Sequence, residues 1–191
     1  AIEKHQLQAD VLPVPIDLPA ISRNINFSKP VQILWNHRWE YDKGPAGLYL
    51  LLKNLVQRKF NFDLQLIGEQ FRQQPKEFAA IQAEFGPRIK SFGYVEKEKY
   101  EVLLGQCDFV LSTALHEFQG LAVMEAAQRG CVPLVPNRLA YPEIFGQEFC
   151  YPSLIENPQK EAEGAVQKLM QLQDQLAPDL TQFTWSQLKL G

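Results

Sequence analysis

From Val31 onward the chain alternates short apolar runs with segments of helical periodicity, and this alternation restricts the fold more than any other feature of the sequence. Val31 to Trp35 is a short apolar run, and the segment from Gly44 to Lys59 places Leu48, Leu51, Leu52, Leu55 and Val56 on one helical face. The pattern then repeats. Phe62 to Ile67 closes at Gly68, a helix follows from Pro75 to Phe85, Ile89 to Phe92 closes at Gly93, and a helix runs from Lys97 to Gly105. Phe109 to Leu111, a helix from Leu121 to Arg129 stopped by Gly130, and Val132 to Val135 continue it. Strands separated by single helices cannot pair as hairpins, so the sequence predicts an α/β domain. Its expected architecture is a doubly wound, Rossmann-like parallel sheet with helices on both faces. A last helix is predicted from Pro158 to Leu176, followed by Pro178 and a tail carrying Phe183 and Trp185.

The stretch from Val11 to Pro19 holds three prolines, so it cannot be helical and reads as an extended linker. We therefore divide the chain into an entry segment, residues 1–28, and a single domain, residues 29–191. A length of 191 residues with 46% apolar and 21% charged positions is enough for one sizeable core. No apolar run approaches the roughly 20 residues that cross a bilayer, and Ala1 to Asp10 carries no basic-then-hydrophobic signal, so the expected location is the cytoplasm. Cys107, Cys131 and Cys150 are odd in number, lack CxxC spacing and lie in apolar surroundings, which argues against a disulfide framework or zinc site. A formal net charge of −3 is too acidic for a segment that wraps a polyphosphate backbone by itself, although a small anionic ligand needs only a few placed cations.

In open parallel sheets ligands sit beyond the carboxyl ends of the strands. The chain from Ser112 to Gly130 leaves the sheet at such an end and opens a helix near Gly120. Seven residues separate Glu117 in the loop from Glu125 inside the helix, so both carboxylates can face one crevice. Between them the N–H groups of Gly120, Leu121 and Ala122 point out of a helix N-terminus, which favours phosphate. Amides for a diphosphate and fixed carboxylate acceptors for hydroxyls together suit a sugar nucleotide. Taken alone, two glutamates at such a spacing are more often a solvated loop acid and an exposed helix acid.

The Glu117-x7-Glu125 spacing, with Gly120 between and Ala126-Ala127, Gly130 and Pro133 following, resembles the E-x7-E signature of retaining GT-B glycosyltransferases of the family 4 type. The chain departs from that signature in reading Glu-Phe-Gln-Gly where a glycine usually follows the first glutamate. Asn36 to Gly44 resembles the R-x4-K-G element of the same family. The resemblance implies that Arg38 and Lys43 contact the donor diphosphate and act with Glu117 in catalysis, neutralising charge on the leaving nucleotide. It also implies that Phe92-Gly-Tyr-Val95 meets the base, with Tyr94 and Val95 as contacts, and that the chain is the C-terminal, donor-binding half of a GT-B fold whose N-terminal acceptor domain lies elsewhere.

Leu34 to Glu40, Ser112 to Glu117, and Pro136-Asn137 with Tyr141 to Phe145 are similar to the tRNA-queuosine mannosyltransferase group. That similarity implies GDP-mannose as donor and, through the other domain, tRNA as partner. His116 either bonds the donor sugar or orients Glu117, and His37 either touches phosphate or satisfies its own loop. Trp35 and Trp39 read as packing residues. Glu143 reads as a helix-start acid that could approach the sugar. No Asp-x-Asp pair offers to chelate a divalent cation, so neither metal nor cofactor is expected, the sugar nucleotide being substrate. A binding module without transfer activity and a GT-B epimerase or phosphorylase are the competing readings. A dehydrogenase lacks its GxGxxG after the first strand.

Overall fold

The computed structural model describes residues 14–16, 21, 29–184 and 187. Most of the proline-rich entry segment, the N-terminal ten residues and Trp185 lie outside the described residues. The elements are β1 (Val31–Trp35), α1 (Pro45–Gln57), β2 (Phe62–Ile67), α2 (Glu77–Phe85), β3 (Ile89–Gly93) and α3 (Lys97–Leu104). They continue with β4 (Phe109–Leu111), α4 (Leu121–Gln128), β5 (Val132–Pro136), α5 (Tyr141–Phe145), β6 (Cys150–Tyr151) and α6 (Pro158–Gln171).

The strands form one parallel sheet in the order β3-β2-β1-β4-β5-β6. After β1 the chain builds outward through β2 and β3, then returns to the other side of β1 and builds outward through β4, β5 and β6. Right-handed crossovers in opposite directions place their helices on opposite faces, so both faces are covered, although the edge strand β3 keeps Lys90 exposed. β4 and β5 are buried at every residue. α6 returns to pack on α1, with Ala162, Ala165, Val166 and Leu169 buried. Between β1 and β4 the loops diverge, leaving a crevice at the switch point of the sheet.

Three differences from the sequence reading have local causes. α6 ends at Gln171 rather than Leu176, because the Leu172 amide is shared between the Lys168 and Leu169 carbonyls and Gln173 to Gln175 offer no apolar side chain to bury. α5 and β6, five and two residues long, are too short to show a period in the sequence. Ile16, within the expected linker, is buried and forms a parallel bridge with Thr184, its amide donating to the Phe183 carbonyl at 2.8 Å. Entry and exit of the domain thus meet. Among the described residues no helix is long and apolar enough to cross a membrane.

Candidate functional site

Two loops at the switch point are stitched to each other. The loop after β1 ends in Gly44, whose φ of 66° is left-handed, and a Cβ there would collide with the Thr113 carbonyl oxygen. That close approach lets the Thr113 hydroxyl donate to the Lys43 carbonyl at 2.9 Å while accepting from Trp35 Nε1 at 3.1 Å. The amides of Leu115 and His116 donate to the Asp42 carbonyl at 2.7 and 3.2 Å. Lys43, 8% exposed, consequently points inward. Its ammonium lies 3.1 Å from Asp42 Oδ2 and 3.3 Å from Glu117 Oε2, and donates to the His116 carbonyl at 3.0 Å. The His116 side chain is exposed, so its backbone rather than its ring meets Lys43.

Arg38 stands apart from this cluster. Its side chain is 55% exposed and pairs with Glu40 at 3.1 Å. The neighbouring residues point inward instead: Trp39 is buried, stacked on Phe78 with ring centroids 4.1 Å apart, and His37 packs edge-on to Trp35. Burial, and to a lesser degree Lys43, pull the His37 imidazole down to about 4 against the opposing carboxylates of Glu117 and Asp42, so it is neutral at pH 7. Its Nε2 is buried without a hydrogen-bond partner.

Glu117 binds from both ends. Oε1 accepts from the amides of Phe118, Gln119 and Gly120 at 3.1, 3.3 and 3.0 Å, and Oε2 faces Lys43. Burial pushes its carboxyl up, but the Gly120 amide, Lys43, the Gln119 amide and His37 together hold it below the usual carboxylate range. Gly120 caps α4 with φ of 65°, backed by the Tyr141 ring. Its amide already donates to Glu117, so of the three amides named from the sequence those of Leu121 and Ala122 are left at the helix mouth without an intrahelical acceptor. This revises the three-amide cradle expected from sequence.

Glu125, one α4 turn further in, accepts from the Tyr100 hydroxyl at 2.8 Å. Asn36 Nδ2 donates both to the Tyr100 oxygen, at 3.0 Å, and to the Ala122 carbonyl, at 2.8 Å. Beside this chain opens a cavity of about 330 Å³ lined by Asn36, Gly68, Glu69, Tyr94, Val95 and Tyr100. The crevice therefore presents the Lys43 ammonium and helix amides at its centre, Glu117 on one side, and Glu125 beside the cavity of about 330 Å³ on the other. Tyr94, 63% exposed, offers its ring at the rim.

Sequence reasoning did not single out Asn36, Asp42, Tyr100 or Arg138. Arg138 lies in the loop after β5, with its side chain only 8% exposed. It donates to the Ala114 carbonyl and the Ser153 hydroxyl and forms a two-pronged pair with Glu161 of α6 at 2.9 and 3.0 Å. Tyr141 meets the Ser112 hydroxyl at 2.6 Å, and the Tyr151 hydroxyl donates to the Ser112 carbonyl at 2.8 Å. The loop that presents Glu117 is thus fixed from beneath. Glu143 sits exposed in the first turn of α5. Cys107, Cys131 and Cys150 are all buried thiols. Among the described residues no group of three His, Cys, Asp or Glu side chains is placed to hold a metal ion.

The family of glycosyl transferases group 1 matches residues 19–182. The chain is 43% identical over 123 residues to the tRNA-queuosine alpha-mannosyltransferase of Drosophila melanogaster, a match covering 64% of this chain and 33% of that protein. It therefore spans about a third of that relative's length. The pneumococcal O-GlcNAc transferase GtfA, solved in complex with UDP and GlcNAc, superposes with a TM-score of 0.68 at 20% identity, covering 88% of this chain and 34% of that one. An E. coli structure described as trehalose-6-phosphate bound with UDP-2-fluoro glucose superposes at 0.58 with 14% identity, covering 75% and 37%. At such identities these two likenesses speak for the fold, a Rossmann-like half of the GT-B type.

Proposed function

Because the chain belongs to the glycosyl transferases of group 1, we propose that it is the donor-binding half of a retaining glycosyltransferase that takes a nucleoside-diphosphate sugar, GDP-mannose, for transfer to queuosine in tRNA. The observation that carries this reading is the pairing of Lys43 with Glu117 across 3.3 Å at the mouth of α4. A diphosphate lodged at the helix mouth meets the Lys43 ammonium and the amides of Leu121 and Ala122, and Glu117 stands beside it to accept from sugar hydroxyls. Arg38, on a long and exposed side chain, swings from Glu40 to the phosphates when the donor binds. Glu125 accepts from the ribose, and Tyr94 and Val95 border the base.

Developing negative charge on the departing nucleoside diphosphate is neutralised by the fixed Lys43 ammonium and helix dipole, joined by Arg38, with no metal ion in the scheme. Neutral His37 beneath Lys43 adds no competing charge. The acceptor and its domain belong to the opposite wall of the cleft. GDP-mannose supplies the donor in this reading on the strength of the 43% identity to the queuosine enzyme, and the cytoplasm is where such a tRNA is met.

The test is calorimetric titration of the chain with GDP, GDP-mannose, UDP and UDP-glucose, each with and without EDTA. The reading expects the guanine pair to bind, GDP-mannose more tightly than GDP, and EDTA to change neither. Tighter binding of the uridine pair would overturn the donor assignment, and strict dependence on Mg²⁺ would overturn the metal-free scheme.

A further inference from the structure

Glu125 does not stand alone in its crevice. Its Oε2 is held by the Tyr100 hydroxyl, an atom from a different helix, and the polarity of that bond can be worked out from the far end of the chain. The Ala122 carbonyl can only accept, so the atom of Asn36 that lies 2.8 Å from it must be the amide nitrogen. The second hydrogen of the same nitrogen goes to the Tyr100 oxygen. With its oxygen accepting from Asn36, the Tyr100 hydroxyl has its own hydrogen turned to Glu125. The cost of this arrangement is visible: Asn36 Oδ1 is buried with no partner, a penalty that an orientation serving no purpose would not sustain.

We propose that Tyr100 is a positioning residue that fixes the Glu125 carboxylate in the rotamer that accepts from the ribose of the donor, with Asn36 setting the direction of its hydroxyl. The inference rests on the donor reading above. Ala122, which anchors Asn36, is also a phosphate-facing residue of α4, so one hydrogen-bonded chain joins the phosphate end of the site to the ribose end across β1, α3 and α4. Tyr100 also lines the base-sized cavity, so the nucleoside lies against the ring that holds its carboxylate acceptor. Burial and the adjoining Glu125 charge push the Tyr100 phenol well above its ordinary range, which keeps its hydroxyl protonated at neutral pH. With Oε2 held in this way, Glu125 presents Oε1 to a ribose hydroxyl.

The experiment measures the affinity of the chain, as wild type and as Tyr100→Phe and Glu125→Gln, for GDP, 2′-deoxy-GDP and 3′-deoxy-GDP by calorimetry. Tyr100→Phe retains the ring, and thermal melting accompanies each titration. Wild type is expected to prefer GDP over at least one deoxy analogue, and both variants to lose on the order of ten-fold for GDP while binding that analogue as wild type does. If Glu125→Gln abolishes the discrimination and Tyr100→Phe retains it, the positioning role is overturned and the ribose assignment of Glu125 stands. If Tyr100→Phe weakens all three nucleotides equally, the ring serves the pocket generally and the positioning role is likewise overturned. If wild type does not distinguish GDP from either analogue, or fails to bind GDP, the ribose or donor reading falls and this inference falls with it.

Discussion

At the scale of single residues the site is decided by which side chains the loops bury. Lys43 is buried and triply bonded, whereas Arg38 is half exposed and pairs only locally with Glu40. Two cations that look equivalent in the R-x4-K-G spacing are therefore unequal. Lys43→Ala should weaken GDP and GDP-mannose alike by about 1.5–3 kcal/mol, the worth of a charge-assisted hydrogen bond. Arg38→Ala should cost about 1 kcal/mol at most, since an exposed cation is screened by solvent. Glu117→Gln keeps the shape but lacks the charge that faces Lys43, and it should weaken GDP-mannose more than GDP. Titration of both ligands against the three variants checks this, and equal losses for the two ligands in Glu117→Gln would remove its sugar contact.

His37 yields a second prediction at this scale. Its folded pKa of about 4 lies below the unfolded value of 6.5. Between those limits the unfolded chain binds a proton that the folded protein refuses, so stability rises with pH across this window and is lost as pH falls through it. The loss attributable to His37 on going from pH 7 to pH 5 should be about 2 kcal/mol. Urea unfolding of wild type and His37→Gln at both pH values isolates it: the variant should lose correspondingly less stability on acidification. Parallel losses would show that acidification acts elsewhere.

At the scale of elements, the sequence was legible where a period is long enough to be counted. The inner strands β1, β4 and β5 announce themselves as apolar runs because a parallel sheet buries both faces, β2 and the edge strand β3 keep polar residues such as Asp63 and Lys90 and are marked by their closing glycines, and α1 shows through the Leu48, Leu51, Leu52 and Leu55 stripe. The positions of Lys43, Glu117 and Glu125 were legible because each belongs to a local spacing at the end of a strand. Tyr100 was not, since Lys97 to Glu101 reads as a solvated helix and its bond to Glu125 spans 25 residues. Arg138 was hidden for the same reason, as its partners come from the loops after β4 and β6 and from the first turn of α6, which only the fold assembles. Breaking that clamp should be costly. Arg138→Ala leaves Glu161 buried without its cation, and about 3–5 kcal/mol of stability should be lost, while Arg138→Met combined with Glu161→Leu should recover much of it. Denaturant midpoints of the single and double variants provide the measurement, and a double variant no more stable than Arg138→Ala would show that the backbone bond to Ala114 matters more than the ion pair.

At the scale of the whole molecule, the loops at the carboxyl edge of the six-stranded sheet line the crevice. The α4 mouth amides, Lys43, Glu117 and the Tyr100–Glu125 pair all lie along the carboxyl edge of a single sheet, and in the proposed reading the acceptor is held by another domain. Binding and transfer should therefore separate. This chain, whose match covers about a third of the queuosine enzyme it resembles, is expected to bind GDP-mannose without transferring mannose to queuosine-containing tRNA, because holding the sugar against these loops alone neither excludes water nor orients an acceptor. Following tRNA mannosylation by mass spectrometry, with the chain alone and with the same chain joined to the N-terminal domain of the Drosophila relative, compares the two situations directly. Donor binding in both and transfer only in the joined protein is the expected outcome. Transfer by the chain alone would mean that this chain contains the acceptor site as well, and the division of labour between two halves would have to be abandoned.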